Sequence, residues 1–425
     1  MIEVQAYGYF FRVLDLGFTM RNVPKVFLLA LLSGIIGFSS SAYGQEDLIQ
    51  AEAKREAERM AKADAKAETK TAAKKKERKK RARYEFTIEH NVACTDVKSQ
   101  DRTGTCWSFA TASFIESELI RREKGEHNLS EMFIVKNIYR DKAQNFVLRK
   151  GKANFSQGAL AHDFIRSAHR YGMVPEEVFS GRENDSEKHD HGEMEAVMLG
   201  FLEAVVKRPK LSDKWQVASD KILDTYLGES PTRFTYRDRS YDAKEFAKSL
   251  EFRGEDYLSI TSYQHHPFYE DFVLEIPDNF SNGSFHNLPI DDLVEIIDNA
   301  IQNGYSVAWD GDVSEKGFSS SRGIAVLPKD PSRRDLFTHP GEELEADQEM
   351  RQENFMSYNT TDDHLMHLVG ISRDEAGNKY YVIKNSWGEV GPYEGFIHMS
   401  EAYVRAKTVA IIVHKEAMPP RLKRD

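Results

Sequence analysis

Cysteine is nearly absent from this chain, which has two cysteines, Cys94 and Cys106, among 425 residues. So few thiols exclude a disulfide framework. Long apolar runs are missing too: the longest uninterrupted by charge covers residues 26–38, whereas a membrane-spanning helix needs about 20 residues. Hydrophobic residues nevertheless make up 40% of the chain and aromatic residues 11%. That content predicts a globular protein with a large core or with two or three subdomains.

Charge is distributed unevenly. The net charge is −10, but residues 52–83 hold fourteen Lys and Arg against six Asp and Glu, or +8, which leaves −18 for the remainder. The segment 45–83 is therefore interpreted as a charged arm, either a solvated helix or a disordered chain, with attraction to anionic surfaces as the alternative. An acidic remainder argues against broad nucleic-acid binding.

Residues 20–44 have the pattern of an export signal. Arg21 and Lys25 precede the short apolar run, and small residues follow it up to Gln45. This order predicts cleavage before Gln45 and an exported protein, periplasmic or secreted, with no membrane span after cleavage. The residues before Met20 are interpreted as an extension from a misassigned start codon. The rival interpretation is an N-terminal membrane anchor.

Cys106 lies where a loop containing Gly104 is predicted to open into a helix. Apolar residues follow at helical spacing: Trp107, Ala110, Phe114, Ile115 and Leu119. Free N–H groups and the macrodipole at a helix start favour a thiolate, the nucleophilic form of cysteine. A buried structural thiol explains this stretch alone equally well.

Two further segments near the C-terminus decide between these alternatives. One runs from Asp362 through His364 to Gly370, and the other begins at Asn385. Turn-forming residues 375–378 separate them, so a hairpin is predicted that brings His364 and Asn385 to one end of a sheet. A thiol nucleophile needs an imidazole proton carrier held by a third group, and these two residues can supply both roles.

Together these segments resemble papain-like cysteine peptidases. The resemblance rests on Gln100, on the Cys-Trp-Ser-Phe-Ala helix start, on the run ending in Val-Gly, and on Asn-Ser-Trp-Gly, in the family's order. It implies that Cys106 is the nucleophile, His364 the general base and acid, and Asn385 the residue that orients the imidazole. It further implies that Gln100 donates to the oxyanion and that Trp387 shields the Asn–His hydrogen bond.

His364 and His367 compete for the role of base, because alternate residues of a strand face opposite ways. The resemblance selects His364 by its spacing from Gly370. His367 is then expected to be an ordinary packed or hydrogen-bonded histidine.

Residues 184–255 have no counterpart in a minimal papain. Helical patterns at 194–206 and 215–227 predict a helical insertion, and Thr103 stands where disulfide-bearing relatives carry a cysteine. Both features resemble the bleomycin hydrolase and aminopeptidase C branch. In that branch the C-terminal carboxylate restricts cleavage to peptide N-termini. Because residues 419–424 are basic here, amino- and endopeptidase action both remain open.

Metal-binding alternatives are weak. His189-Asp190-His191 could supply ligands but is interpreted as an exposed loop, and Asp310-Gly311-Asp312 is interpreted as a turn beside the cleft. A Glu-rich stretch at 340–354 is expected to be a surface loop, and an amphipathic helix is expected over 290–301. No metal or organic cofactor is implied.

The resulting prediction is an α+β, papain-like two-lobe fold over residues 84–425, with a helical left lobe, an antiparallel β right lobe and the helical insertion. The predicted activity is thioester-mediated hydrolysis of peptides or proteins, with no nucleic acid required and with homo-oligomerisation left open. A Cys-His acyl transferase resembling transglutaminases and a non-enzymatic binding protein on the same fold are the rivals.

Overall fold

A computed structural model describes residues 84–182 and 188–423. The predicted signal and charged arm lie outside these ranges, so their interpretation stays a prediction. Within the described ranges, no helix combines the length and the apolar character required to cross a membrane.

The left lobe is built from three helices. They are α1 (Cys106–Arg121), α2 (Glu131–Leu148) and α3 (Ala161–Tyr171). Ser130 caps α2 by accepting a hydrogen bond from the Phe133 N–H, which satisfies one of the free donors at the helix start. Gly172 ends α3 at φ 86°, where a side chain would also collide with the Ala243 backbone. The predicted start of a helix at Cys106 is confirmed.

The right lobe is a sheet of eleven strands. The strands are β1 (Phe86–Asn91), β4 (Tyr257–Thr261), β5 (Asp271–Val273), β6 (Ser284–Asn287), β7 (Val307–Gly311), β8 (Phe318–Ser319), β9 (Ile324–Ala325), β10 (His364–Asp374), β11 (Lys379–Lys384), β12 (Phe396–Ser400) and β13 (Thr408–His414). The path is β5-β6-β4-β13-β7-β10-β11-β12-β9-β8, and β1 pairs with β10 outside it. Pairing is antiparallel except for β4–β6 and β9–β12, which are parallel.

Each face of this sheet packs against helices. Ala308 and Leu365 belong to the core shared with α1 to α3, whereas Trp309 and Met366 belong to the core around α7 (Ile290–Gln302). The alternation follows from strand geometry, since successive side chains point to opposite faces. The predicted helix at 290–301 is confirmed. Shorter helices, α8 (Gln348–Met356) and α9 (Glu401–Lys407), lie near the second core.

The insertion consists of helices and one hairpin. It contains α4 (Gly192–Val206), α5 (Lys214–Leu227), the strands β2 (Phe234–Tyr236) and β3 (Arg239–Tyr241), and α6 (Ala243–Ser249). Both predicted helices are confirmed, but the hairpin was not predicted. On α4, Met194, Met198 and Leu202 are fully buried at intervals of four residues, which is the spacing of one helix face.

Three interpretations of local structure are wrong. His189 and His191 are not on an exposed loop, because both are buried, against the rings of Phe109 and Tyr139 respectively. Asp310 does not lie in a turn, because it pairs with Leu365 inside the sheet. The stretch 340–354 is not wholly a loop, since α8 begins at Gln348, with Asp347 accepting a hydrogen bond from the Met350 N–H.

The chain after β13 folds back onto α7. Met418 and Leu422 are buried in the α7 core, and the Ala417 carbonyl accepts a hydrogen bond of 2.7 Å from Asn299. Arg421 forms ion pairs with Asp292 and Glu295 of α7. Through Lys423, the tail therefore follows the α7 side of the sheet.

Candidate active site

Cys106 is the first residue of α1 and is 8% exposed. The loop before it is held by Gln157, whose side chain accepts from the Gly104 N–H at 2.7 Å and whose carbonyl accepts from the Trp107 indole at 3.0 Å. The Cys106 sulfur accepts a hydrogen bond from the backbone N–H of Leu365. The thiol consequently lies against the residue that follows His364.

His364 and Asn385 meet where β10 begins and β11 ends. The hairpin pairs the two strands antiparallel, so these residues share the end of the sheet away from the turn, as predicted. The His364 Nε2 and Asn385 Oδ1 atoms are 2.7 Å apart. The same Asn385 oxygen also accepts from the Ser386 N–H at 2.8 Å.

These contacts fix the tautomer of the imidazole. An atom that accepts from a backbone N–H must be the amide oxygen of Asn385, so His364 has to donate through Nε2. In a neutral imidazole this leaves Nδ1 as the acceptor. His364 can therefore receive a proton at Nδ1 while Asn385 holds the other side of the ring.

Trp387 covers this pair. Its ring stacks on the His364 ring with centroids 4.5 Å apart and planes inclined by 28°. Trp387 is 36% exposed, whereas His364 is 3% exposed, so the indole lies between the imidazole and solvent. Exclusion of water strengthens the hydrogen bond beneath it.

Gln100 is held by both polar ends of its side chain. Its Oε1 accepts from the Ser386 hydroxyl at 2.6 Å, and its Nε2 donates to the Thr103 carbonyl at 2.7 Å. An amide nitrogen carries two hydrogens, so one N–H remains available to a ligand. The residue that follows Asn385 thus positions Gln100.

His367 is packed and hydrogen-bonded away from the thiol, as expected. Its Nδ1 lies 2.8 Å from the Ser113 hydroxyl on α1, and the residue is fully buried. Lys384 donates to the same hydroxyl at 2.8 Å, so this histidine belongs to a buried polar contact between the lobes. The structure does not bring His367 to Asn385.

The electrostatics of the thiol differ from the sequence-based expectation. Burial raises the pKa of Cys106 to about 12; the Leu365 N–H lowers it, and the charges of Asp362, Asp310 and Asp278 raise it further. Burial likewise lowers the pKa of His364 to about 4, although the hydrogen bond that His364 donates to Asn385 raises it. Both groups are therefore neutral in the empty cleft, whereas the helix start alone predicted a thiolate.

Sequence reasoning missed these three carboxylates. Asp362 stands in the segment that contains His364, but it was read only as part of a motif, and Asp310 was assigned to a turn. Asp278 precedes β6, far along the chain from the site, and no local pattern marks it. Only the fold reveals their convergence near Cys106.

Among the described residues, one group has metal-ligating geometry. His265, His266 and Glu275 place their ligand atoms within 4.8 Å of one another. Both imidazoles already contact the carboxylate, His265 at 3.2 Å and His266 at 2.6 Å, so ion pairing accounts for the group. It lies outside the Cys106 site.

A buried thiol at a helix start, an Asn-oriented imidazole and a shielding tryptophan on a two-lobe scaffold define a papain-like cysteine peptidase. The model of the peptidase C1-like family matches residues 162–425, and that of the papain family cysteine proteases matches residues 82–151. The chain belongs to the peptidase C1-like family, in its bleomycin hydrolase and aminopeptidase C branch.

Individual relatives are distant. Aminopeptidase C of Lactobacillus helveticus is 24% identical over 60% of this chain and 61% of its own length. Bleomycin hydrolase of Rattus norvegicus is 21% identical over 76% of this chain and 81% of its own. A crystal structure of PepW from Lactobacillus rhamnosis superposes with a TM-score of 0.63 at 21% identity, covering 90% of this chain and 95% of that one. The predicted fold is thereby confirmed.

Proposed function

We propose that this protein is an aminopeptidase that uses Cys106 as nucleophile, His364 as proton carrier and Asn385 as the residue that orients the imidazole. The observation that carries this proposal is the 2.7 Å contact between His364 Nε2 and Asn385 Oδ1 beside a buried thiol. It leaves Nδ1 of the imidazole free to take the thiol proton.

In the proposed reaction, the proton of Cys106 passes to Nδ1 of His364 as sulfur attacks the peptide carbonyl. The backbone N–H of Cys106 and the free N–H of Gln100 stabilise the oxyanion. The carbon–nitrogen bond then breaks, and the amine leaves with the proton from the imidazole. Water attacks the thioester with His364 as base, which releases the carboxylate product and restores the thiol.

Aminopeptidase action is favoured because relatives that bear this name match most of the chain, including aminopeptidase W of Lactobacillus delbrueckii subsp. lactis over 80% of it. The C-terminal tail, however, packs on α7 through Lys423, so it offers no visible means of restricting cleavage. Endopeptidase action is therefore the alternative for the assay to decide.

The test compares two cysteine variants on aminoacyl fluorogenic amides with free or acetylated N-termini. Cys106→Ala should lower kcat/KM by at least about 10³-fold. The control Cys94→Ala removes a half-buried thiol beside Lys384 and should retain activity. Full activity in Cys106→Ala would show that Cys106 is not the nucleophile. A preference for acetylated substrates would refute aminopeptidase action.

We also propose that the protein is exported. The support is the order of charged, apolar and small residues over 20–44. Intact-mass analysis of protein from the native host should find Gln45 as the first residue. A retained apolar segment in a membrane fraction would favour the anchor instead.

A further inference from the structure

Asp310 is a buried carboxylate without a donor. It is 4% exposed, and among the described residues its carboxylate oxygens accept from no N–H or hydroxyl and contact only another acid, Asp362. Its strand partner is Leu365, whose N–H contacts the Cys106 sulfur. Because β7 places Ala308 in the core shared with α1 to α3, Asp310, two residues later, faces the same way. An isolated buried acid is costly, so a missing partner is implied.

Asp362 adds a second carboxylate at the same place. Its side chain lies against that of Asp310, and its Oδ2 atom likewise has no donor within the described ranges. Burial and neighbouring acids raise the pKa of Asp362 to about 7. Two acids in contact can share one proton, but such a pair still lacks a cation.

Asp278 is the third carboxylate and comes from the chain between β5 and β6. Its Oδ1 atom is 3.3 Å from the Asn154 amide and 3.5 Å from the Ser156 hydroxyl, both in the left lobe. The side chain rests directly on Gly158, where any Cβ would collide with the carboxylate. Glycine at this position is what lets Asp278 approach.

The segment that carries Asp278, residues 274–283, bridges the two lobes. Phe280 is buried in the left-lobe core, and its carbonyl accepts from Asn145 at 3.3 Å. Asn154 also donates to the Pro277 carbonyl at 3.3 Å, and His162 contacts Ser281 at 3.0 Å. This bridging segment therefore joins the two lobes beside Gly158.

Among the described residues, Lys142 is the cation whose charge acts on Asp278 and Asp362. Its ammonium already donates to the carbonyls of Ser156 and Gly158, and it makes no ion pair within 4 Å to any of the three acids. The neighbouring His162 is buried, and burial lowers its pKa, so it is neutral at pH 7. The three carboxylates therefore have one ammonium in their surroundings, which is too distant to form an ion pair with them.

The space beside Asp310 is small. A cavity of about 10 Å³ is bounded by Asp310, His162 and eight apolar residues, and Asp362, Asp278 and Cys106 do not line it. A volume of that order holds about one water-sized group. A primary ammonium meets this limit, whereas a guanidinium does not.

The reach of a peptide's first residue sets where its α-ammonium would lie relative to the thiol. The amide nitrogen and carbonyl carbon of one residue are about 2.5 Å apart, and attack requires sulfur within about 3–3.5 Å of that carbon. A free α-ammonium would lie roughly 5–6 Å from sulfur by the same geometry. One strand spacing, about 4.8 Å, separates β10 at Leu365 from β7 at Asp310.

We propose that the carboxylates of Asp310, Asp362 and Asp278 bind the α-ammonium group of the peptide substrate, and that the bridging segment 274–283 ends the cleft there. Cleavage is then confined to the first peptide bond. The inference rests on the proposed aminopeptidase function and names the residues that would restrict it, in place of the chain's own C-terminus.

The test measures kcat/KM of Asp310→Asn and Asp278→Asn on matched free and acetylated aminoacyl amides. The amide removes the charge without changing the size of the side chain. We expect each variant to lose about 10- to 100-fold on the free substrate and to lose less than about threefold on the acetylated one. Glu270→Gln, a charge removal at an exposed position outside that segment, should change neither value.

A lysine-containing substrate distinguishes the α-ammonium of a peptide from the side-chain ammonium of lysine. An acetylated lysyl amide should remain a poor substrate if the cluster reads the α-ammonium, and preferential cleavage of that substrate would overturn the proposal. Calorimetry with Cys106→Ala gives a readout without turnover. Leucine amide should bind at least about tenfold more tightly than its acetylated form, and Asp310→Asn in that background should remove the difference.

Failure of this inference can be told apart from failure of the proposed function. If the unmodified enzyme prefers free N-termini and Asp310→Asn keeps that preference, the carboxylates merely share a proton and the proposal is overturned. If the unmodified enzyme prefers acetylated peptides, the aminopeptidase function itself is wrong.

Discussion

The two sides of the Cys106 thiol are built differently. On the side of His364, each polar group of the site has a partner, since Asn385 holds the imidazole and Ser386 holds Gln100. On the side of Asp310, buried carboxylate oxygens face one another without a donor among the described residues. The first side is complete before substrate arrives, whereas the second is completed only by a cation.

This difference gives the two sides different roles: the His364 side carries out the reaction, and the Asp310 side selects the substrate. A preorganised hydrogen-bond network costs no rearrangement during reaction, which is what proton transfer and oxyanion stabilisation require. Unsatisfied carboxylates instead destabilise the empty protein and gain when a ligand neutralises them. A docked ammonium would also offset the negative charges that raise the pKa of Cys106, and so would ease loss of the thiol proton.

The largest expected effect separates the two histidines. His364→Ala should lower kcat/KM by about 10³-fold or more, because the proton carrier is lost. His367→Ala should change kcat/KM by less than about threefold but lower the free energy of unfolding by about 1–3 kcal/mol, because the buried Ser113 hydroxyl keeps Lys384 but loses its contact with the imidazole. Steady-state kinetics and urea unfolding check both. A reversal of these effects would show that the assignment of the two faces of β10 is wrong.

Truncation after Lys415 tests whether the tail contributes to selection. Loss of the buried Met418 and Leu422 should lower the free energy of unfolding by about 2–4 kcal/mol. The ratio of activity on free and acetylated substrates should stay unchanged, because the tail packs on α7. Arg421→Ala, which removes two surface ion pairs, should cost much less stability and serves as the milder variant. A gain of activity on acetylated peptides would restore the tail as the restricting element.

Asn385→Ala should reduce kcat by about 10- to 100-fold with a small change in KM, because Asn385 orients the imidazole and transfers no proton. Asn385→Asp is the informative companion, since its carboxylate can still accept from Nε2 of His364 and should recover part of the rate. Equal losses in both variants would mean that the 2.7 Å contact does not position the base.

Asp310→Asn should stabilise the empty protein by about 1–2 kcal/mol at pH 8. The pKa values of Asp310 and Asp362 are raised, that of Asp362 to about 7, so the folded state binds more protons than the unfolded state above pH 4. Stability from this pair therefore falls as pH rises through the pKa of Asp362 at about 7, and it continues to fall until Asp310, whose pKa is raised well above its usual value, has also ionised. The gain in Asp310→Asn should shrink at pH 5, as thermal unfolding at both values would show.

The control for that comparison is Asp363→Asn. Its carboxylate accepts from the Thr361 hydroxyl at 2.7 Å and from the Ser314 N–H at 3.2 Å, so it is already satisfied. Burial and the nearby Asp312 raise the pKa of Asp363 as well, but removal of its charge also weakens both hydrogen bonds, so this variant should be stabilised less than Asp310→Asn. An equal gain in both variants would mean that general charge repulsion, and not the unpaired state of Asp310, is responsible.

The catalytic side was predictable from the sequence because local rules determine it. A helix start, a hairpin turn and strand alternation place Cys106, His364 and Asn385, and each rule acts over a few residues. The Asp310 side could not be predicted in this way. Asp278 reaches the thiol by a contact with Gly158 across 120 positions of the chain, and buried acids contradict the composition rules on which sequence reasoning depends.

The pKa of the Cys106 thiol could not be predicted from the local sequence either. The helix start correctly placed Cys106, but its pKa depends chiefly on burial, which the position in a helix does not reveal. His189 and His191 were misjudged for a related reason. Polar composition suggested exposure, whereas the aromatic rings of Phe109 and Tyr139 cover them.

The insertion is fastened to the loop that precedes the nucleophile. The His189 carbonyl accepts from the Arg102 N–H at 3.0 Å, and the His189 N–H donates to Asp101 at 3.2 Å. Asp101 adopts φ 53°, a backbone conformation that needs support from its surroundings. Local opening of the insertion would release this loop while the eleven-stranded sheet stayed folded. Folding intermediates that lack a docked insertion would accordingly be inactive, so a newly made chain would acquire peptidase activity only at the end of its folding.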